Sequence, residues 1–222
     1  MINRIIKKLL INKGYEIRHQ SVLPTFERLS CLRFASGLGD LPWSLHGLVR
    51  SMRPEVCVEI GSAQGKSTCY IASALAELGK GDLYAIDPHQ ATDWNDSESV
   101  DSLPILKQNL ASLGPGVEKR VQIIRKTSQE AAVDWNKPID FLFIDGDHSY
   151  EGVKQDWELF SPFVKQSGII AFHDTAWHLE QGEAMAPEMG VPRFVEELRK
   201  EGYPVVTLLR NHGLSLVQPV KG

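Results

Sequence analysis

The chain reads as an α/β protein, a doubly wound and mostly parallel seven-stranded sheet that finishes in an antiparallel hairpin and carries an N-terminal helical cap. Three observations predict this. From Pro54 onward, short apolar runs alternate regularly with segments of helical period, the pattern of a parallel sheet with helices on both faces. The stretch Ile139–Asp145 is built on a continuous apolar run, as in a strand buried on both faces. Near the end, Arg210-Asn211-His212-Gly213 separates two short strand-like runs, a signal for a tight hairpin.

The first thirteen residues place Ile2, Ile5, Ile6, Leu9 and Leu10 on one helical face, with Arg4, Lys7 and Lys8 elsewhere. This amphipathic, basic helix suits packing on the domain or on a second subunit, which is the favoured reading; weak contact of residues 1–13 with a membrane surface fits the same pattern. It lacks the cleavage site of a signal peptide, and no stretch is long enough to span a bilayer. Gly14–Pro24 reads as a linker, and Thr25–Met52 as one or two helices broken at Gly37–Pro42. Residues 1–53 are therefore expected to form a cap, and residues 54–222 the main domain.

In that domain the expected order is strand Glu55–Gly61, helix Lys66–Leu78, strand Asp82–Asp87, helix Ser99–Leu113, strand Val121–Arg125 and helix Ser128–Asp134. Strand Ile139–Asp145, a helix from about Tyr150 to Val164, strand Gly168–Asp174 and a helix at about Arg193–Glu201 follow, before the hairpin strands Val205–Leu209 and Leu214–Val217. Two long connections, Pro88–Glu98 and Thr175–Pro192, come after strand ends and carry Trp94 and Trp177, which fits lids over a ligand.

Composition bounds the partners. With 222 residues, 42% of them hydrophobic, the chain can bury a full core, which excludes a disordered or fibrous protein. A net charge of −4 provides no basic field, so a nucleic-acid partner is not expected and a small molecule or saccharide is more natural. Three cysteines, Cys31, Cys57 and Cys69, without CxxC spacing, suit a reducing cytoplasm.

The chemistry-bearing stretches follow the strands. Val56-Cys-Val-Glu-Ile-Gly-Ser-Ala-Gln-Gly-Lys-Ser-Thr68 is a strand, a glycine turn and a helix start, where Gly61 and Gly65 let a ligand approach the backbone and the helix end supplies amide donors. A phosphate-binding P-loop needs one more residue between the glycines, and a dinucleotide fingerprint needs glycine where Thr68 stands. After the fourth strand comes Asp145-Gly-Asp-His-Ser-Tyr150, and after the fifth His173-Asp-Thr175. In open α/β sheets ligands sit beyond these carboxyl ends.

The pattern Val-Glu-Ile-Gly-x-x-x-Gly-x-Ser-Thr resembles the first motif of class I S-adenosylmethionine-dependent methyltransferases, and the likeness extends over about Glu55–Asp174. It implies a Rossmann-like fold and a cofactor site formed by Glu59, Gly61, Ser62, Gly65, Ser67, Asp87, Ser128, Gln129 and Asp145. Glu59 would lie near the methionine amino end, Asp87 would hold the ribose hydroxyls, and Ser128 and Gln129 would lie near the adenine. Each of these has a plainer reading in which the glycines shape a turn and Ser128 caps a helix.

The strand-end phrases look most like the bacterial branch of macrocin-type and cephalosporin-hydroxylase-like metal-dependent O-methyltransferases. That resemblance implies Asp145, Asp174 and Thr175 as ligands of Mg²⁺ or another divalent metal, although Thr175 and His173 depart from the catechol-type pattern. It also implies His148 as the general base beside Asp145, and imidazole titrates in the range that deprotonating a hydroxyl requires. Asp147 reads as a helix cap and His173 as a core histidine. The function expected is a cytoplasmic O-methyltransferase acting on a hydroxyl of a sugar, glycan precursor or secondary metabolite, a homo-oligomer being compatible with the sequence. The alternatives are a P-loop-like nucleotide-binding enzyme and a non-catalytic cofactor-binding module in glycan assembly.

Overall fold

A computed structural model describes residues 22–90, 101–177 and 189–221. The basic segment 1–13, Trp94 and most of the two long connections lie outside the described residues. The chain divides into two compact units, Met1–Cys31 and Leu32–Gly222. The first has one described helix, α1 (Val22–Cys31). Residues 32–53, assigned from sequence to the cap, fall within the second unit.

The second unit holds one sheet of strands β1 (Val56–Ile60), β2 (Asp82–Ile86), β3 (Val121–Ile124), β4 (Ile139–Ile144), β5 (Val164–His173), β6 (Val205–Leu208) and β7 (Leu214–Val217). Their spatial order is β3-β2-β1-β4-β5-β7-β6. The first five strands pair in parallel, and β7 pairs antiparallel with both β5 and β6. The helices are α2 (Pro42–Met52), α3 (Lys66–Leu78), α4 (Leu103–Leu113), the single turn α5 (Pro115–Glu118), α6 (Ser128–Ala132), α7 (Tyr150–Phe160) and α8 (Val191–Lys200). No described helix is long and apolar enough to cross a membrane.

Side-chain alternation divides the core into two layers. Val58, Ile60, Leu142, Ile144, Ile170 and Phe172 point into one layer, where Val153 and Phe160 of α7 and Phe194 and Leu198 of α8 meet them. Cys57, Phe141, Phe143 and Ala171 point into the other, against Ile71 and Leu75 of α3 and Leu45 and Val49 of α2. The central strands β1 and β4 are apolar except at Glu59 and Asp140 because both faces are covered. Cys57 and Cys69 are buried thiols, and burial pushes both up from their ordinary range.

Several boundaries differ from the sequence expectation: α4 starts at Leu103 rather than Ser99, α6 ends at Ala132 rather than Asp134, and the passage from α7 into β5 comes early. The helix that begins at Tyr150 stops at Phe160 because Pro162 cannot continue the hydrogen-bond ladder; a 3₁₀ turn (Ser161–Phe163) follows, and β5 starts at Val164 rather than Gly168. The early start shifts the β4–β5 register between Ile139 and Phe141.

At the carboxyl edge β1 and β4 run almost into contact. Gly61 has φ +87°, and a Cβ there would lie 2.0 Å from the carbonyl oxygen of Asp145. The obstacle is backbone on a neighbouring strand, so it cannot swing aside. Gly61→Ala is therefore expected to lose at least about 3 kcal/mol of stability through combined strain and overlap. Thermal melting followed by circular dichroism would read this as a fall of roughly 6–12 °C, and an unchanged melting temperature would contradict the packing described.

Candidate active site

A cavity of about 820 Å³ runs along the carboxyl ends of the parallel strands. At its centre is the turn after β1. The Gly61 amide donates to the Ile86 carbonyl at 2.9 Å, and the Gly65 amide donates to the Ser62 carbonyl at 2.7 Å. Gly65 caps α3 with φ +86° and without a side-chain cap, and Leu106 fills the space where its Cβ would stand. Ser62 and Ser67, both buried, reach the cavity wall.

Glu59 does not line this cavity. Strand parity puts it on the same face as Cys57, under α3, where its carboxylate accepts a hydrogen bond from the Thr68 hydroxyl at 2.6 Å. Burial, only partly offset by the Ser67 and Thr68 hydroxyls, pushes its pKa up to about 7. Glu59 thus lies beneath the turn, one hydrogen bond behind Ser67 of the cavity wall.

Asp87, one position past β2, has both carboxylate oxygens held: Oδ2 accepts from the Ala63 amide at 2.7 Å and Oδ1 from the His89 amide at 2.6 Å. The carboxylate is therefore fixed in orientation on the wall. After β3, the cap of α6 is Thr127, not Ser128. Thr127 and Glu130 form a reciprocal capping box, which leaves Ser128 and Gln129 to line the cavity. The Gln129 amide hydrogen bonds to Gln155 of α7, and the Ser128 hydroxyl bonds to Asp156, a residue that sequence reasoning missed.

The other end of the cavity gathers the ionisable groups. His148 Nδ1 lies 3.3 Å from Asp174 Oδ2, and its Nε2 makes a looser 3.7 Å approach to Asp145 Oδ1. His173 Nδ1 bridges the two acids, 3.1 Å from Asp145 Oδ1 and 3.2 Å from Asp174 Oδ2, while Nε2–H donates to the Asn211 carbonyl at 3.1 Å. Burial opposes charge on His173, but the two carboxylates raise its pKa well above the ordinary value, and with acceptors facing both ring nitrogens the geometry favours the imidazolium. Burial likewise opposes charge on Asp145, but His173 and His148 more than offset it and hold the carboxyl down at about 2. His148 is raised despite burial by its two acid neighbours.

His173 is not a plain core residue. Asp174 has φ +58°, outside extended geometry, and this breaks the strand alternation that would send neighbours 173 and 174 to opposite faces. The adjacency of His and Asp at a strand end was the available signal. Asp147 lies on the wall, and its carboxylate accepts from the Ser149 amide at 2.8 Å, while Ser149 itself caps α7. Thr175 lines a separate cavity of about 380 Å³ bounded by α8 and the β6–β7 hairpin. Ligand atoms of Asp145, His148 and Asp174 all lie within 4.8 Å of one another. A divalent cation fits this group: two carboxylates and an imidazole face a common point, and Asp174 Oδ1 is buried without a partner. Trp177 and His212 stack beside it, ring centroids 4.3 Å apart.

A seven-stranded sheet of this order with its cavity at the carboxyl edge is the class I methyltransferase fold. Solved structures that share it include the following two. A Staphylococcus aureus protein provisionally named as a caffeoyl-CoA O-methyltransferase is 21% identical, with a TM-score of 0.64 over 100% of both chains. The O-methyltransferase TomG of Streptomyces achromogenes, involved in tomaymycin synthesis and solved with S-adenosylmethionine, is 17% identical, with a TM-score of 0.65 over 91% of this chain and 92% of that one. In sequence, the uncharacterised protein y4gI of Sinorhizobium fredii is 29% identical over 143 residues, 60% of this chain but only 15% of the length of that curated relative. Residues 58–175 match the methyltransferase-domain family, and the chain belongs to it. The P-loop alternative falls away with that membership.

The raised Glu59 carboxyl has a testable sign. An acid whose folded pKa lies above its unfolded value loses stability as pH rises from about 4.5 to about 7. Glu59→Gln removes that penalty, on the order of 3 kcal/mol at full ionisation. Relative to the parent, the variant should gain several degrees in melting temperature between pH 5 and pH 8. A pH-independent difference between the two would show that Glu59 ionises normally.

Proposed function

We propose that this chain is an S-adenosylmethionine-dependent O-methyltransferase, assisted by a divalent metal, that methylates a hydroxyl of a sugar, glycan precursor or secondary metabolite in the cytoplasm. The observation that carries the reading is the convergence of Asp145, His148 and Asp174 at one end of a cavity whose other end presents Asp87, Ser128 and Gln129. On this reading Asp87 accepts from the two ribose hydroxyls, the turn Gly61–Gly65 admits the cofactor's close approach, and Ser128 and Gln129 face the base.

S-adenosylmethionine would supply an activated methyl group, and a divalent cation held by Asp145 and Asp174 would supply Lewis acidity toward the acceptor oxygen, leaving the His148 imidazole free to act as base. The chain's own task is positioning and proton transfer. His148, at the cavity wall between the two acids, takes the hydroxyl proton. Asp145 and Asp174 favour its protonated form, and positive charge placed beside it disfavours that form and releases the base. His173 keeps both carboxylates oriented from behind, anchored in turn on the hairpin carbonyl of Asn211.

Titration calorimetry with S-adenosylhomocysteine, with and without Mg²⁺ or Mn²⁺, tests the cofactor; absence of binding in every condition would refute the proposal. Methyl transfer from labelled S-adenosylmethionine to a panel of sugar, phenol and alcohol acceptors tests the reaction. On any acceptor that turns over, His148→Ala and Asp145→Asn are each expected to slow transfer by roughly 10²–10⁴-fold. Unchanged rates in both would assign the chemistry elsewhere.

A further inference from the structure

Asp156 is a buried acid with no use in the reaction described above. It sits in the middle of α7, 4% exposed, and its side chain reaches the cavity wall between Ser128 of α6 and the backbone of Gly146 after β4. No cation is among the groups that act on it. The Ser128 hydroxyl bonds to it, and the charge that acts on it is the like charge of Asp147. Burial pushes its pKa up to about 7, against the Ser128 bond, so near neutral pH much of it is the neutral acid.

Position and chemistry together suggest what such a group is for. Gly146 keeps the carboxyl uncovered: a Cβ there would lie 3.2 Å from Asp156 Oδ2 and 3.3 Å from Ile60 Cγ2, closing the gap between them. Gln155, the preceding residue, is tied to Gln129 across the same wall. This end of the cavity therefore has a hydroxyl, two amides and a carboxyl, all neutral when the acid is protonated, and no positive side chain among them. That composition suits a neutral heterocycle with a polar edge and is unsuited to a phosphate or carboxylate. A neutral carboxyl offers one O–H donor beside one carbonyl acceptor, which matches the ring-nitrogen acceptor and exocyclic amino donor of an adenine edge.

The geometry points to Asp156 as the residue that selects the cofactor's base, its carboxyl pairing with the amino edge of adenine while Ser128 and Gln129 border the ring. This rests on the methyl-donor reading of the cavity. It turns a buried acid that costs stability into the specificity element of the nucleoside end, and it explains why a glycine follows the strand-end Asp145.

The test compares two ligands and three proteins by calorimetry: S-adenosylhomocysteine, its purine analogue lacking the 6-amino group, and the parent chain with Asp156→Asn and Asp156→Leu. The parent should bind the amino-bearing ligand about tenfold more tightly than the analogue, a typical return for a two-point base contact. Asparagine keeps one donor and one acceptor, so Asp156→Asn should retain most of that preference. Asp156→Leu should abolish it, with the two affinities coming within about twofold. A purely structural role would weaken both ligands equally in the leucine variant and leave their ratio at the parental value, which overturns the assignment. A parent that binds both ligands equally overturns it even if the leucine variant does not fold. Failure of the parent to bind S-adenosylhomocysteine at all defeats the methyl-donor reading as well, so the two failures are separable.

Discussion

The site depends on how closely β1 and β4 approach at their ends. With Gly61 against the Asp145 carbonyl, and the Asp145 amide donating to the Ile60 carbonyl at 2.9 Å, the two central strands stop at the same level. Parallel pairing extends this to β2 and β5, so Asp87, Asp145 and Asp174 leave the sheet along one edge although they are distant in sequence. The apolar strands are rigid because both faces are buried, and this rigidity aligns the polar residues that follow them.

Charge at the edge is balanced locally. Two carboxylates within reach of one another would repel in a poorly solvated corner, and each would resist ionisation. His173, protonated and wedged between them, supplies the compensating charge, and its second nitrogen is tied to the hairpin. The antiparallel end of the sheet therefore takes part in holding the acids in place. Away from this corner acids are treated differently: Glu59 and Asp156 have no cation and are held nearer to neutrality.

Much of this was legible in the sequence, for reasons that separate the residues. Strand order, the glycine turn, Asp87, Asp145 and His148 follow from alternation and from the rule that functional groups follow strand ends. For Glu59 the motif fixes position along the strand but not what covers the face on which the side chain emerges. For Ser128, read as lining the adenine with a helix cap as the plainer alternative, the choice depends on where α6 starts, and Thr127 one residue earlier takes the cap. His173 was read as core, and what brings it beside Asp174 is the left-handed backbone at Asp174, which is not legible in the residue order. Asp156 carried no signal, since a single acid in an amphipathic helix looks like any solvated residue until the packing of α6 and α7 is known.

The strand order also has a consequence for how the chain acquires its site during synthesis. β5 must wait for β7, the last strand in sequence, before its outer edge is covered, and β6 can join only through β7. The hairpin carbonyl that steadies His173 arrives with the same segment. A chain halted before residue 217 would thus leave a long, apolar strand with an open ladder and an unsupported acid pair, an aggregation-prone species. Completion of the sheet and completion of the site are a single late event, so incompletely made chains of this protein would be both insoluble and inert.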